Sequence, residues 1–248
     1  MLTPQSCPQE LKHQDCTLAK QFSLLVWNVY KKNQNVLFQE KLKKLLLDKP
    51  SDFLLFQEVK YPKAKFFHLE DYSYVLASNM ETKKQIYGVL TASKACFESI
   101  TCNLTKGKEL GIATHKSFLI SQHPLRNGQS LYIINIHAIN FVSSKKFEDE
   151  MQAFKKILLN YKGPMIVVGD FNNWNKKRVS ILKTFQNELG LSKAEPENLH
   201  FVKHVFNKPL DHIFYRGLDL LKAEAIHIKN ASDHNPLYAR FQIQELKD

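Results

Sequence analysis

Residues 165–174 read MIVVGDFNNW. Four apolar side chains of β-forming type lead through one glycine to an aspartate, and amides follow. A run this apolar is a strand buried on both faces, of the kind a parallel sheet requires. A carboxylate at its end needs a partner, because burying an unpaired charge costs several kcal/mol. Similar stretches recur along the chain. FSLLVWNVY (22–30) carries Asn28, DFLLFQEV (52–59) carries Glu58, and LYIINIHAI (131–139) carries His137. PLDHIFY (209–215) carries Asp211, and ASDHNPL (231–237) carries Asp233 and His234. Each polar group is expected at or just past the C-terminal end of its strand. One such residue is explained by a strand that simply ends; several strand ends so equipped point to a shared rim and a single site.

Between these strands lie helical patterns. In residues 34–49, Leu37, Phe38, Leu42, Leu45 and Leu46 fall on one face, lysines fall on the other, and Pro50 stops the helix. A second helix is expected near 144–160, with Ser144 as cap and Phe147, Met151, Phe154 and Leu158 on its buried face; a third is expected over 176–189. Residues 72–78, 86–92, 95–101 and 116–121 alternate like antiparallel strands, and 222–229 and 235–243 close the pattern. The order strand, helix, strand, several strands then repeats. The pattern predicts an α+β fold of two mixed sheets packed face to face with helices outside. Residues 1–20 form a polar N-terminal lead-in, and 21–248 form one domain, with no linker rich in Pro, Gly or Ser.

Composition bounds the chemistry. The chain has 248 residues, 35 Lys+Arg against 24 Asp+Glu, and a formal charge of +11. Such an excess suits anionic partners, although a lysine-rich surface alone would produce it. The eight glycines form neither G-x-G-x-x-G nor a P-loop, and G-x-S-x-G and H-E-x-x-H are absent. The four cysteines (Cys7, Cys16, Cys96, Cys102) make no C-x-x-C pair, and reduced thiols are expected. The start lacks a basic region and an apolar core, so a cytoplasmic protein without a membrane span is expected.

The ligand types suggest the chemistry of the rim. Glu58, Asn28 and the aspartates offer oxygen to Mg²⁺ or Mn²⁺. An imidazole oriented by a carboxylate, as His234 by Asp211, suits water activation or phosphate stabilisation near neutral pH. Trp174 and Arg178, just past GDFN, could stack on a base and grip a phosphate; alternatively Trp174 packs under a loop and Arg178 is a solvated helix residue. Lys31 and Lys32 could meet a phosphate backbone or sit on a solvated turn, and Arg216 is a further candidate contact. His212 should point to the opposite face from Asp211 and is read as structural. The remaining histidines (His68, His115, His123, His200, His204 and His227) lack metal-type spacing.

The strings LLVWN, FQEV, GDFN and SDHNPL, in this order and spacing, resemble the endonuclease/exonuclease/phosphatase superfamily over about residues 22–243. LVWNVYKKN, NIHAINF and PLDHIFYRGL further resemble a bacterial branch without an assigned substrate. The resemblance implies a four-layer α/β/β/α sandwich of deoxyribonuclease type. It implies Glu58 as main metal ligand with Asn28, and Asp233 at the metal or its network. Asp170 would align or deprotonate water, and Asn172 would hold a phosphate oxygen. His234 would act as base or phosphate stabiliser, fixed by Asp211, and His137 would serve phosphate or the leaving oxygen. Tyr30 and His137 stand where abasic-site endonucleases carry Asp and Tyr. Those departures lean toward pancreatic-type deoxyribonucleases, neutral sphingomyelinases, inositol polyphosphate phosphatases and genotoxin nuclease subunits. The expected activity is that of a monomeric Mg²⁺-dependent nuclease on DNA or RNA. The alternatives are a phosphatase or phospholipase acting on inositol phosphate or a phospholipid headgroup, and a non-catalytic binding protein. Removing Glu58, Asp170, Asp211 and Asp233 from the count leaves 35 cationic against 20 acidic side chains elsewhere.

Overall fold

A computed structural model describes residues 7–13, 17–63, 71–104 and 117–244. In chain order the strands are β1 (Gln9–Glu10), β2 (Gln21–Asn28), β3 (Phe53–Pro62), β4 (Ser73–Glu81), β5 (Gln85–Ser93), β6 (Ser99–Leu104), β7 (Ser117–Pro124) and β8 (Ser130–His137). They continue with β9 (Met165–Asp170), β10 (Ser192–Lys193), β11 (His204–Val205), β12 (Lys208–Pro209), β13 (Asp211–Arg216), β14 (Leu218–Ala225) and β15 (Leu237–Ile243). The helices are α1 (Val36–Asp48), α2 (Ser144–Leu158) and α3 (Lys176–Glu188).

Alternation along β2 shows how the layers arise. Phe22, Leu24 and Val26 point into a core shared with Ile133, Ile166 and Val168. Leu25 and Trp27 point the other way, onto Phe38, Leu42 and Leu45 of α1. Ile134, Ile136 and Val167 likewise face Phe147, Met151, Phe154 and Leu158 of α2 and Leu182 and Phe185 of α3. Strands buried on both faces therefore give a helix, sheet, sheet, helix sandwich. One sheet runs β1-β4-β5-β3-β2-β15-β14 and the other β10-β13-β9-β8-β7-β6. Each contains one parallel pair, β2 with β3 and β8 with β9, bridged by α1 and α2 respectively. The repeated element order is thus two strand–helix–strand units, one per sheet, and both parallel pairs end at the site.

Several local expectations are corrected. Ser143, not Ser144, caps α2, accepting a hydrogen bond from Lys146 N at 3.3 Å. Leu37 is 44% exposed, because the buried face of α1 centres on positions 38, 42 and 45. Residues 226–229 leave the sheet before the segment that carries His234. Cys7 and Cys102 form a disulfide with Cα atoms 6.5 Å apart, and Cys96 is a buried thiol outside that bond. The reason lies in β1, the edge strand of its sheet, which pairs with β4 and lays the chain ahead of it beside β6. Leu18 is buried in the inter-sheet core. His68 and His115 lie outside the described residues. No helix among the described residues is long and apolar enough to cross a membrane.

Candidate active site

The sheet registers bring the polar strand ends together. Asn28 is opposite Gln57, next to Glu58, in the β2–β3 pair. His137 is opposite Asp170 in the β8–β9 pair, and Asp170 is opposite Asp211 in β13. Asp211 departs from the expected pattern, being the first residue of its strand. It reaches the same rim because β13 runs antiparallel to β9. His234 comes from the segment between β14 and β15, tied down where Trp27 Nε1 donates to its carbonyl at 2.9 Å. Ser232 Oγ ties the same segment to the Asn28 carbonyl at 2.7 Å.

Two backbone devices aim these groups. A bulge between Phe56 and Val59 puts Glu58 in the left-handed region at φ 53°, turning it to the site face. At Gly169 (φ +142°) an added Cβ would lie 1.8 Å from the Ile136 carbonyl oxygen. Only glycine permits this approach of β9 to β8, and it precedes the Asp170–His137 pairing directly.

At the centre, Asn28 Nδ2 donates to Asp170 Oδ2 at 3.0 Å and reaches Glu58 Oε1 at 3.4 Å. His137 Nε2 lies 3.5 Å from Glu58 Oε1 and 3.8 Å from Asp170 Oδ2. His234 Nδ1 is 2.7 Å from Asp211 Oδ2, and its Nε2 is 3.9 Å from Asp170 Oδ2. Asn172, at φ 48°, donates its backbone N–H to Asp170 Oδ1 at 3.0 Å and its Nδ2 to the Ala138 carbonyl at 3.1 Å. All except Glu58 are buried. Burial pushes the Asp170 carboxyl up to about 6, with Asp211 adding to the rise and His234, the Asn172 N–H and Asn28 working against it. Burial disfavours the His234 imidazolium. The charge of Asp211 and its hydrogen bond, with Asp170 and Asp233, overcome that and raise His234 to about 9.

The donor set fits a hard divalent cation. Ligand atoms of Asp170, Asp211 and His234 all lie within 4.8 Å of one another, and Glu58 and Asn28 adjoin them through Asp170. Asp211 Oδ1 is buried without a hydrogen-bond partner. The ammonium of Lys31 sits against Glu58 Oε2, placing positive charge where a cation would be held. Oxygen donors of this kind suit Mg²⁺ or Mn²⁺.

Other candidates are redistributed. Lys31 is at the site, though paired with Glu58, and Lys32 lies beside the ring of Tyr30. Asp233 is exposed and turned to Lys203 Nζ at 3.3 Å, outside the central cluster. Trp174 stands at the rim with Nε1 bonded to Asn140 Oδ1 at 3.0 Å. Arg178 cannot grip a phosphate: it is 0% exposed and donates to the carbonyls of Ile139, Asn172 and Val142. It clamps the chain after β8 to the chain after β9. Arg216 is likewise excluded, because it ends β13 five residues from Asp211, about 17 Å along the strand. There it binds the carbonyls of Gly163, Leu189 and Tyr161. His212 points away from the site as expected, to Asn173 Oδ1 at 3.2 Å. The sequence reading missed the buried bridge beneath the rim, where Gln57 Nε2 donates to Asn135 Oδ1 at 2.7 Å across the two sheets. Amides facing inward within apolar strands were its only signal.

A profile described as Endonuclease/Exonuclease/phosphatase family matches residues 25–234. A UPF0294 protein of Vibrio parahaemolyticus is 35% identical over 226 residues, covering 91% of this chain and 79% of its own. One from Vibrio cholerae is 33% identical over 243 residues, covering 97% and 84%. Among solved structures, the human Nocturnin catalytic domain with bound sulfate superposes with TM-score 0.67 at 15% identity, covering 95% of this chain and 98% of that one. D. rerio TDP2 complexed with single strand DNA product gives TM-score 0.67 at 16% identity, covering 90% and 100%.

Proposed function

This chain belongs to the endonuclease/exonuclease/phosphatase family, whose members hydrolyse phosphate esters, and on that premise we propose that it is a divalent-metal-dependent phosphodiesterase acting on DNA or RNA. The observation that carries the proposal is the meeting of Asp170 with a carboxylate-held imidazole, His234–Asp211, and with Glu58 and Asn28 of the opposite sheet.

In this reading Glu58 and Asn28 hold the cation, with Asp170 adjoining. A bound Mg²⁺ supplies Lewis-acid stabilisation of charge on the phosphate oxygens. His234 keeps its Nδ1 proton on Asp211 and turns Nε2–H toward the phosphate. Three carboxylates around one imidazole favour its cationic form, so His234 neutralises charge in the transition state. Asp170 Oδ2 is then the acceptor for the proton of the attacking water, with its other oxygen held by the Asn172 N–H. His137, between Glu58 and Asp170, serves the phosphate or the departing oxygen. Asn172 Nδ2 retains one proton beyond its bond to Ala138 for a phosphate oxygen. The excess of lysine outside the site suits a polyanionic substrate, and a similar fold has been solved with single-stranded DNA product.

Purified protein should cleave labelled DNA or RNA with Mg²⁺, stop in chelator, and lose activity on Glu58→Gln or His234→Ala. Absence of metal-dependent cleavage across nucleic acids, inositol phosphates, phospholipid headgroups and simple diesters would overturn the enzymatic reading. The Cys7–Cys102 pair is of a kind that persists in oxidising compartments, which would favour secretion by a non-classical route over the cytoplasmic setting expected above.

A further inference from the structure

Three large aromatic side chains stand out of the surface on loops that also carry site residues. Tyr30, two residues past Asn28, is 49% exposed; Phe141, four past His137, is 69% exposed; Phe206, five before Asp211, is 79% exposed. Phe206 occupies the turn between β11 and β12. All three have left-handed backbones, with φ 48°, 46° and 49°. That conformation is uncommon for any residue with a side chain and is a true outlier for a bulky one. A phenyl ring held in water also forgoes about 2 kcal/mol of burial. Backbone strain and exposure at the same residues, on separate loops around one rim, mark a surface shaped for a ligand.

Trp174 links two of the loops through its bond to Asn140 Oδ1, and its ring centroid lies 6.3 Å from that of Phe206. The guanidinium of Arg178 lies 4.9 Å from the Trp174 ring centroid, bracing the indole from within. Lysines follow several of these rings closely in the sequence. Lys32 follows Tyr30, Lys146 follows Phe141, and Lys176 and Lys177 follow Trp174. None of the four has a carboxylate within 4.0 Å among the described residues, whereas Lys31, Lys145 and Lys203 do.

Resting on the phosphodiesterase reading above, we propose that this rim selects unpaired nucleic acid, stacking splayed bases on Tyr30, Phe141 and Phe206 while Lys32, Lys146, Lys176 and Lys177 meet the flanking phosphates. Aromatic faces can be used only by bases whose own faces are free, so a duplex could use the lysines and not the rings. Exposed rings and unneutralised ammonium groups around one site would offer a single strand partners for both its bases and its phosphates.

The test is fluorescence anisotropy of the full chain in chelator, so that nothing is cleaved, with a labelled 20-mer single strand and its duplex. Vesicles of phosphatidylcholine with 20% anionic lipid form a further arm. Stacking contributes about 1–3 kcal/mol per base, or about 5- to 100-fold in affinity. The single strand should bind at least about fivefold more tightly than the duplex. Phe206→Ala and Phe141→Ala should each weaken single-strand binding by about that factor and leave duplex binding and the salt slope unchanged. The double variant Lys176→Ala, Lys177→Ala should instead flatten the salt dependence by about 0.7 per lost contact. Mg²⁺-dependent cleavage of bis(p-nitrophenyl) phosphate by the unaltered chain reads the enzymatic site separately, because that diester has no base to stack. Equal or tighter duplex binding, or unaltered affinity in both phenylalanine variants, overturns the proposal while cleavage of the simple diester leaves the enzymatic reading standing. Vesicle binding that depends on Phe141 and Phe206, without affinity for the oligonucleotide, overturns it and assigns the rim to a lipid surface.

Discussion

Asp211→Asn removes one charge from the site while keeping nearly the same shape. In the native protein Asp211 Oδ2 lies 2.7 Å from His234 Nδ1, and both side chains are buried. Charge centres about 4 Å apart at an effective dielectric near 20 attract by about 4 kcal/mol, which corresponds to about three pKa units. Burial continues to disfavour the imidazolium in the variant, and only Asp170 and Asp233 remain to support it. The His234 value should therefore fall from about 9 by about two to three units. Two-dimensional ¹H–¹⁵N spectra of the imidazole nitrogens across a pH series read this directly, without a substrate. Stability should follow. An imidazole whose value is raised on folding contributes stability that is fully present below about 6.5 and is lost as pH rises through about 9. The variant should thus be destabilised at pH 6, and the difference should shrink by pH 10. Activity should drop by about 10²- to 10⁴-fold, the range for losing an oriented proton-handling group. A fall in the His234 value of less than one unit would refute the reasoning, because the carboxylate would then not be what holds the proton.

Arg178→Ala should leave the carbonyls of Ile139, Val142 and Asn172 without their buried donor and cost about 3 kcal/mol. Urea denaturation should show it, and the loops after β8 and β9 should lose protection from hydrogen exchange first. Gly169→Ala combines a disallowed approach to Ile136 with an unfavourable backbone. We expect soluble yield or melting temperature to fall further than for Gly190→Ala, where an added Cβ meets nothing within 4 Å. His123 is fully buried between the Cys96 carbonyl and Ser121 Oγ. Burial lowers it to about 4 despite the Cys96 hydrogen bond, and burial lowers His212 to about 3. Below pH 6.5 the unfolded chain takes up protons that these folded imidazoles refuse, so stability falls as pH drops toward 4. Each should contribute a loss of about 2 kcal/mol by pH 5. His123→Gln should lessen that acid sensitivity in chemical denaturation at pH 7 and pH 5, and an unchanged difference between the two pH values would count against the assignment.

The site was legible where a polar side chain interrupts an apolar strand, since burial forces such a group to find partners. Asn28, Glu58, His137 and Asp170 were placed this way, while Asp211 begins its strand and His234 lies between strands; the structure gathers all six at one rim, and the fold followed from the same strands. What failed depended on strand direction and distant partners. Arg216 follows Asp211 closely in sequence, yet β13 carries it away from the rim. Arg178 follows the GDFN segment by six residues, and its three carbonyl partners are invisible until the loops are in place. Asp233 and His234 are neighbours whose side chains part, one to Lys203 and one to Asp211. The Cys7–Cys102 pair joins residues 95 apart in sequence through a short edge strand that no periodicity announces. The exposure of Phe141 and Phe206 has no sequence signal, because nothing local marks a hydrophobic residue that will stay outside.

The six central groups divide evenly between the layers. Asn28, Glu58 and the segment bearing His234 belong to one sheet, and His137, Asp170 and Asp211 to the other. Asn28–Asp170 at 3.0 Å and His234–Asp170 at 3.9 Å therefore span the gap between sheets, held beneath by the Gln57–Asn135 bridge. Catalytic geometry tolerates displacements of only about 0.5 Å, less than a sandwich can drift while keeping its secondary structure. Enzymatic output then works as a gauge of sheet spacing. On gentle heating or in low urea, turnover should fade while circular dichroism is still native, and cooling should restore it as the two sheets settle back into contact.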